Sequence, residues 1–482
     1  MLVEVLESCE QRYGEKILCH ERRGETMIRA TGVEFIQAVK KRAAILSAKT
    51  PERCHIGLLG SGGYEMIVSM LAVMCSNRIA VPLNKSLGVE ELSQNIEMSD
   101  VEKLLFEEEE EELAKELEAK TKIGCIKVLT ADTREMVEFT FPKINENELA
   151  MILYSSGTTG ESKAVMLSQK NLSTLIKHTK LQSRHRRIWA PLPAHHIAFF
   201  QLAIFLLARG DEIFFVSDMR NFFKDMEEFK PQQITLVPAM YHMLLERMKR
   251  LPNFKKVIEE NVEEIWSLGA PLAIRGNDSL KDKVGVVNIY GLTESSGTVV
   301  ELVPGAFGSV GLVASYNEMR IENGEILFRG DNIMMGYYKE PKQSAEVVKD
   351  GWLYTGDIGE IKDGCLFIKG RVKNTIILSN GENVNPEELE AKICQNESVD
   401  AAYIYEKDGK INAAVLIKSL LENQNEQIFE KQKKELEIFR KELNKKLPAY
   451  QKIWRLEIRR KDFERTSIGK IKRRNENEGI GS

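Results

Sequence analysis

The sequence predicts an α/β protein, with a large layered N-terminal domain of mixed sheets and helices over residues 1–371 and a small α+β C-terminal domain over 372–482. Three observations predict it. Apolar runs of strand length alternate with helical stretches through the first three quarters of the chain, as they do where helices cover sheets. After Gly370-Arg371-Val372-Lys373 the texture changes to short strands and a long charged helix. The length of 482 residues is about three domains' worth at roughly 150 residues each, enough to bury a large core without metal or disulfide staples.

Taken in order, Ile56-Gly-Leu-Leu-Gly60 reads as a short buried strand, Tyr64–Met74 as an amphipathic helix and Arg78-Ile-Ala-Val-Pro-Leu83 as the next strand. The acidic run Glu107–Glu112 suits a solvated helix start, because carboxylates favour a helix N-terminus. Ala150-Met-Ile-Leu-Tyr154, Glu212-Ile-Phe-Phe-Val216, Gln233-Ile-Thr-Leu-Val237 and Val284-Gly-Val-Val-Asn-Ile289 are apolar runs bounded by turn residues, as buried strands are. Ile197–Ala208 reads as a buried helix that contains Gln201 and falls well short of the roughly 20 residues that span a bilayer. In the small domain Pro386–Cys394 and Ile428–Leu447 read as helices, and Ala401-Ala-Tyr-Ile-Tyr405 and Ala413-Ala-Val-Leu-Ile417 as strands.

With 43% apolar and 29% charged residues the chain is folded rather than disordered. Its 68 basic residues nearly balance 72 acidic ones, so the charge calls for neither nucleic acid nor an anionic membrane as partner. Seven cysteines without a C-x-x-C pair fit neither a disulfide framework nor a zinc site, and a cytoplasmic, reducing setting is expected. Carboxylates interrupt the first apolar stretch, Met1-Leu-Val-Glu4, which argues against a secretion signal; no transmembrane segment is expected.

The segment Tyr154-Ser-Ser-Gly-Thr-Thr-Gly-Glu-Ser-Lys163 follows an apolar strand. Gly157 and Gly160 let backbone N–H groups approach a polyanion, the hydroxyls of Ser155, Ser156, Thr158 and Thr159 donate to phosphate oxygens, and Lys163 adds a mobile positive charge. It is a phosphate cradle, although the Walker spacing cannot be laid on Gly157, Gly160 and Lys163.

This segment resembles the nucleotide loop of the acyl-adenylate-forming enzymes, the superfamily of acyl-CoA synthetases, peptide-synthetase adenylation domains and luciferases. Further motifs follow in the order that family keeps. Gly269-Ala-Pro-Leu272, with Ala270 and Pro271 at its centre, resembles the stretch beside the adenine. Tyr290-Gly-Leu-Thr-Glu294 resembles the second nucleotide motif, which implies Tyr290 and Gly291 at the adenine, Thr293 at the α-phosphate and Glu294 on Mg²⁺. Gly351-Trp-Leu-Tyr-Thr-Gly-Asp357 implies a ribose contact at Asp357, and Gly370-Arg371 a second ribose or phosphate contact at Arg371. Arg465-Thr-Ser-Ile-Gly-Lys470 is similar to the C-terminal loop whose lysine approaches the carboxylate and the α-phosphate. The resemblance covers essentially the whole chain and implies a mobile C-terminal lid with a hinge at Lys373.

It also implies the reaction. A carboxylate attacking the α-phosphate of ATP brings two anions together, so cations and donors must offset their repulsion. Lys470, Glu294 with Mg²⁺, and Thr158 with its loop fit those roles, and His196 of Pro193-Ala-His-His196-Ile-Ala-Phe199 matches the family's histidine beside the acyl pocket. Amino-acid-activating relatives carry an aspartate after that histidine, where this chain has Ile197; without a counter-charge a buried ammonium is strongly disfavoured. An alkyl or aryl acid is therefore expected in a pocket that includes His196, Ile197, Val237 and Met240. Gly381, in Gly381-Glu-Asn-Val-Asn-Pro386, resembles the loop lining the pantetheine tunnel, which implies CoA, or alternatively the arm of an acyl carrier protein, as acceptor. ATP and CoA are the expected co-substrates, and a nucleotide sensor without turnover is a third reading.

Overall fold

A computed structural model describes residues 2–128, 137–155, 162–178, 185–269, 272, 280, 283–301, 308–417, 426–465, 471 and 473. Two seven-stranded sheets form the body. The first runs in the order Gly285–Asn288, Glu264–Ser267, Gln233–Leu236, Arg187–Ala190, Glu212–Phe215, Ile17–Arg23 and Thr26–Thr31. All of its pairings are parallel except the closing hairpin of Ile17–Arg23 with Thr26–Thr31. The second runs Gly336–Tyr337, Lys163–Ser168, Leu149–Ser155, Ile79–Pro82, His55–Leu59, Lys103–Phe106 and Gly124–Lys127. Its last five strands are parallel and its first two antiparallel additions. An antiparallel third sheet contains Asn317–Glu322, Glu325–Gly330, Trp352–Lys362 and Cys365–Arg371.

One hydrophobic cluster joins the two large sheets through the helices between them, among them Gly32–Lys49, Tyr64–Cys75 and Ile197–Arg209. The expectation of an amphipathic helix at Tyr64–Met74 is corrected here. All residues from Tyr64 to Cys75 are buried, because strands of both sheets flank the helix and leave it no wet face. Ile197–Arg209 is a buried helix as expected, ended by Gly210 in the left-handed conformation. Helix Gly32–Lys49 starts at Thr31 with a reciprocal cap: the Glu34 N–H donates to Thr31 Oγ1 over 3.3 Å and the Thr31 N–H to Glu34 Oε2 over 2.8 Å.

The acidic run also departs from its solvated reading at its first member. Glu107 is 4% exposed, follows strand Lys103–Phe106, accepts from the Ser61 N–H at 3.2 Å and lies 3.5 Å from the Arg23 guanidinium. Burial pushes its carboxyl up from 4.5 to about 7, partly opposed by Arg23 and the Ser61 N–H. The folded carboxyl therefore keeps a proton between pH 4.5 and about 7 that the unfolded one releases, so stability falls as pH rises through that window. Full ionisation costs roughly 3 kcal/mol at 1.36 kcal/mol per pKa unit. Glu107→Gln should flatten the decline in urea-unfolding free energy between about pH 5 and pH 8; an unchanged slope would assign that decline to other groups.

The small domain has its own core of Leu389, Ile393, Ile404, Val415 and Ile453 among others. Strands Ala401–Lys407, Lys410–Leu416 and Ile453–Arg459 form its sheet, flanked by helices Pro386–Ile393 and Glu426–Lys446. No helix among the described residues is long and apolar enough to cross a membrane.

Candidate active site

A cleft of about 2940 Å³ is walled by residues of both the large body and the small domain. Strands Leu149–Ser155 and Lys163–Ser168 are antiparallel, with Ser155 and Lys163 opposite one another at their ends. Both residues line the cleft, so the hydroxyl-rich loop begins and ends at its wall. Ser156, Gly157, Thr158, Thr159 and Gly160 lie outside the described residues, as do Ala270, Pro271 and Lys470.

The Lys163 ammonium sits 4.6 Å from the ring centroid of Tyr337, whose hydroxyl donates to Glu294 Oε1 over 3.1 Å. Tyr337 thus links the cradle to the second nucleotide motif. Sequence reasoning missed it, because nothing local marks Tyr337; it arrives through the short strand Gly336–Tyr337, which pairs with Lys163–Ser168. Burial, and then the Glu294 charge, hold its phenol well above the usual range, so it is a donor at neutral pH.

Glu294 lies in the one-turn helix Thr293–Ser295, which forms the loop of a tight hairpin that pairs Gly291–Leu292 with Gly297–Thr298. A Cβ on Gly291 would lie 2.0 Å from the Gly297 carbonyl oxygen, so the hairpin closes only with glycine there. Ser295 Oγ accepts from the Leu292 N–H at 3.0 Å and reaches the Gly297 carbonyl at 2.8 Å, which fixes the turn. Asn332 Nδ2 donates to the Ser295 carbonyl at 3.0 Å and braces the same turn. Thr293 and Glu294 both line the cleft.

Asp357, 4% exposed, joins two motifs. Tyr290 Oη donates to its Oδ2 over 2.8 Å and Arg371 Nε to its Oδ1 over 2.7 Å. Asp357 and Arg371 face each other across adjacent strands beside a register irregularity at Ile358–Gly359, a local break that re-aims side chains. Burial acts to lower the Arg371 pKa, but Asp357, Tyr290 and Glu294 outweigh it, and the guanidinium stays charged. Carboxylate oxygens have lone pairs beyond the two bonds made here, so sugar hydroxyls can still donate to them. Gly269, in a left-handed conformation at φ +86°, lines the same cleft.

His196 precedes the first turn of helix Ile197–Arg209 and lines the cleft together with His195, Ile197 and Val237. The two histidine rings are 4.5 Å apart. Burial, helped by the neighbouring His196, pushes His195 down to about 3, so this ring stays neutral. The adjacent histidine pair was the available signal for His195, yet only His196 was singled out from the sequence. Met240 stands apart from the expected acyl pocket: it packs against a second hydrophobic cluster built around Trp189 and Tyr241. Gly381 is an exposed left-handed turn residue at φ +84° and is not part of this cleft wall, unlike Lys373, which lies in the turn Val372–Asn374 and faces the cleft.

Glu294 is half-buried, and only one of its oxygens takes a hydrogen bond among the described residues. A hard oxygen donor in this state fits Mg²⁺, which binds through one or two carboxylates plus substrate phosphates and keeps several waters.

A cleft between a layered α/β body and a small C-terminal domain thus gathers the two ends of the hydroxyl-rich segment, a buried carboxylate clamped by a tyrosine and an arginine, and a half-buried glutamate. The chain belongs to the AMP-binding enzyme family: that family's model matches residues 6–338, and the model of the AMP-binding enzyme C-terminal domain matches 373–478. It is 28% identical over 364 residues to 2-succinylbenzoate–CoA ligase of Oceanobacillus iheyensis, covering 72% of this chain and 75% of that one. It is 26% identical over 392 residues to a feruloyl-CoA synthase of Amycolatopsis, covering 75% and 78%. In fold it is similar to O-succinylbenzoate coenzyme A synthetase from Bacillus subtilis, solved with ATP and magnesium ion, at a TM-score of 0.78 and 23% identity over 97% of this chain and 98% of that one. The structure of an anthranilate CoA ligase with anthranoyl-AMP matches at a TM-score of 0.84 and 17% identity, covering 99% and 96%.

Proposed function

We propose that this chain is an ATP-dependent acid–CoA ligase that takes an alkyl or aryl carboxylic acid, forms its acyl-adenylate and passes the acyl group to CoA. A carboxylate oxygen of the acid bonds to the α-phosphorus as the bond to the pyrophosphate oxygen breaks. The CoA thiolate then attacks the acyl carbonyl, and AMP leaves. The observation that carries this reading is the meeting of Ser155, Lys163, Tyr290, Glu294, Asp357 and Arg371 around one cleft.

In this reading Asp357 and Arg371 orient the ribose, Tyr290 and Gly269 flank the base, and the loop from Ser155 to Lys163 cradles the phosphates. Mg²⁺, held by Glu294 and the substrate phosphates, would neutralise charge that develops on the phosphate oxygens. Lys470 brings a further cation to the attacking carboxylate. His196, Ile197 and Val237 border the acyl group, and Ile197, 7% exposed, offers no carboxylate for an α-ammonium.

The named relatives are CoA ligases, which favours CoA over a carrier protein as acceptor. We place the domain boundary at Arg371/Val372, where strand Cys365–Arg371 gives way to the exposed turn at Lys373. The described cysteines are all free, which supports action in the cytoplasm.

A panel of alkyl, aryl and dicarboxylic acids assayed for pyrophosphate release, without and then with CoA, tests the proposal. An acid-dependent signal that proceeds to acyl-CoA supports it; adenylation that goes no further when CoA is added contradicts it. Glu294→Gln should lower Mg²⁺-dependent pyrophosphate exchange at least about tenfold, as loss of a metal-holding charge does. Exchange at the wild-type rate would remove Glu294 from the site.

A further inference from the structure

The stretch 331–338 is tied to two parts of the site at once. On one side the Met335 and Tyr338 N–H groups donate to the carbonyls of Met166 and Ala164 over 3.0 and 2.8 Å, which sets the stretch against the strand that begins at Lys163. On the other side the Met334 N–H donates to the Glu294 carbonyl over 2.9 Å, and Ser296 Oγ donates to the Asn332 carbonyl over 2.8 Å. Asn171, on helix Gln169–His178, steadies the stretch from behind: its Nδ2 donates to the carbonyls of Asp331 and Ile333, each over 2.8 Å.

Tyr337 completes this bridge with its side chain. Its backbone is fixed, since the Tyr337 N–H donates to Ser344 Oγ over 2.7 Å and Gly336 precedes it at φ +135°, where a Cβ would lie 2.9 Å from that same oxygen. The ring is 6% exposed, carries the Lys163 ammonium near its face and presents the hydroxyl to Glu294 Oε1. A donor on one carboxylate oxygen stops the group from turning and leaves the other oxygen with free lone pairs for a metal. Residues that orient a metal-holding group in this way are worth about 10- to 100-fold in metal affinity or activity.

We propose that Tyr337 is a positioning residue for adenylate formation, its hydroxyl setting the Glu294 carboxylate for Mg²⁺ carried by ATP. The inference rests on the ligase reading and on the metal-holding role of Glu294 given there. Because the ring also meets Lys163, loss of the hydroxyl alone leaves that cation where it is and acts through the carboxylate only.

The test is Tyr337→Phe in the full chain, with ATP binding measured by calorimetry in excess Mg²⁺ and again in EDTA. The readout is the ratio of the two affinities, which is the coupling between metal and nucleotide. Wild type should bind ATP more tightly with Mg²⁺. The variant should lose about tenfold of that ratio, while its binding in EDTA stays within about twofold of wild type. Pyrophosphate exchange should fall about tenfold at limiting Mg²⁺ and largely recover as Mg²⁺ is raised. A purely structural role would weaken binding in both media alike and leave the ratio where it was. In a Glu294→Gln background Tyr337→Phe should change the ratio by less than about twofold, because the group it acts through is gone. An unchanged ratio in Tyr337→Phe, an undiminished effect in the Glu294→Gln background, or a wild type that binds ATP no better with Mg²⁺ would overturn the proposal. A wild-type protein with no acid-dependent pyrophosphate exchange would sink the ligase reading instead, and the affinity ratio would still decide whether Tyr337 sets Glu294.

Discussion

Lys470→Ala is expected to lower acid-dependent ATP–pyrophosphate exchange by at least about 100-fold, the cost of removing one donor aimed at developing charge in a transition state. Thioester formation from supplied acyl-adenylate should change by no more than about twofold. The asymmetry follows from the charges. In the first half-reaction an anionic carboxylate approaches an anionic phosphate, and a cation between them stabilises the transition state more than the separated reactants. In the second a thiolate attacks a carbonyl and AMP departs, so no second anion must be brought up to the phosphorus. Separate assays of the two half-reactions decide the matter, and equal loss in both would refute this division of labour.

Asp357→Asn should raise KM for ATP and lower pyrophosphate exchange by about 100-fold or more. The side chain accepts from Tyr290 at 2.8 Å and from Arg371 at 2.7 Å, and it is buried. An amide keeps the volume but removes the charge, so the Arg371 guanidinium loses its counter-charge, and Tyr290 or Arg371 meets an NH₂ group in place of an acceptor. Breaking a buried ion pair by removing one partner costs about 3–5 kcal/mol, enough to misplace both neighbours. Because Tyr290, Asp357 and Arg371 come from three different motifs, the variant should also lower the thermal midpoint, and added ATP should restore less of it than in wild type. A variant with unaltered KM for ATP would show that the ribose does not rest on Asp357.

Much of this architecture was legible because buried parallel strands are nearly continuous apolar runs. Ile56–Gly60, Ala150–Tyr154, Glu212–Val216 and Gln233–Val237 overlap strands His55–Leu59, Leu149–Ser155, Glu212–Phe215 and Gln233–Leu236. The same logic misled at Tyr64–Met74, where Glu65 and Ser69 look like a polar face. Arg42 draws both inside: its guanidinium pairs with the Glu65 carboxylate and donates to Ser69 Oγ at 2.9 Å. Glu107 looked solvated for a related reason, since its neighbours are acidic and only the fold brings Arg23 and the Ser61 N–H to it.

At the site, residues held by short motifs could be read in advance and residues delivered by sheet pairing could not. Tyr290, Glu294, Asp357 and Arg371 stand in recognisable strings, and all four line the cleft. Tyr337 comes from a two-residue strand at a sheet edge. Met240 shows the opposite error: apolar character near a motif does not say which side of a helix meets the cleft, and here the side chain turns to the core around Trp189.

The most direct test of the central claim is a crystal structure of the protein with ATP and Mg²⁺. The account predicts one nucleotide in the cleft, its ribose hydroxyls within hydrogen-bond distance of Asp357, its phosphates along the loop from Ser155 to Lys163, and the metal on Glu294. ATP bound on another surface, or in the cleft with its ribose away from Asp357 and its phosphates away from that loop, would contradict it.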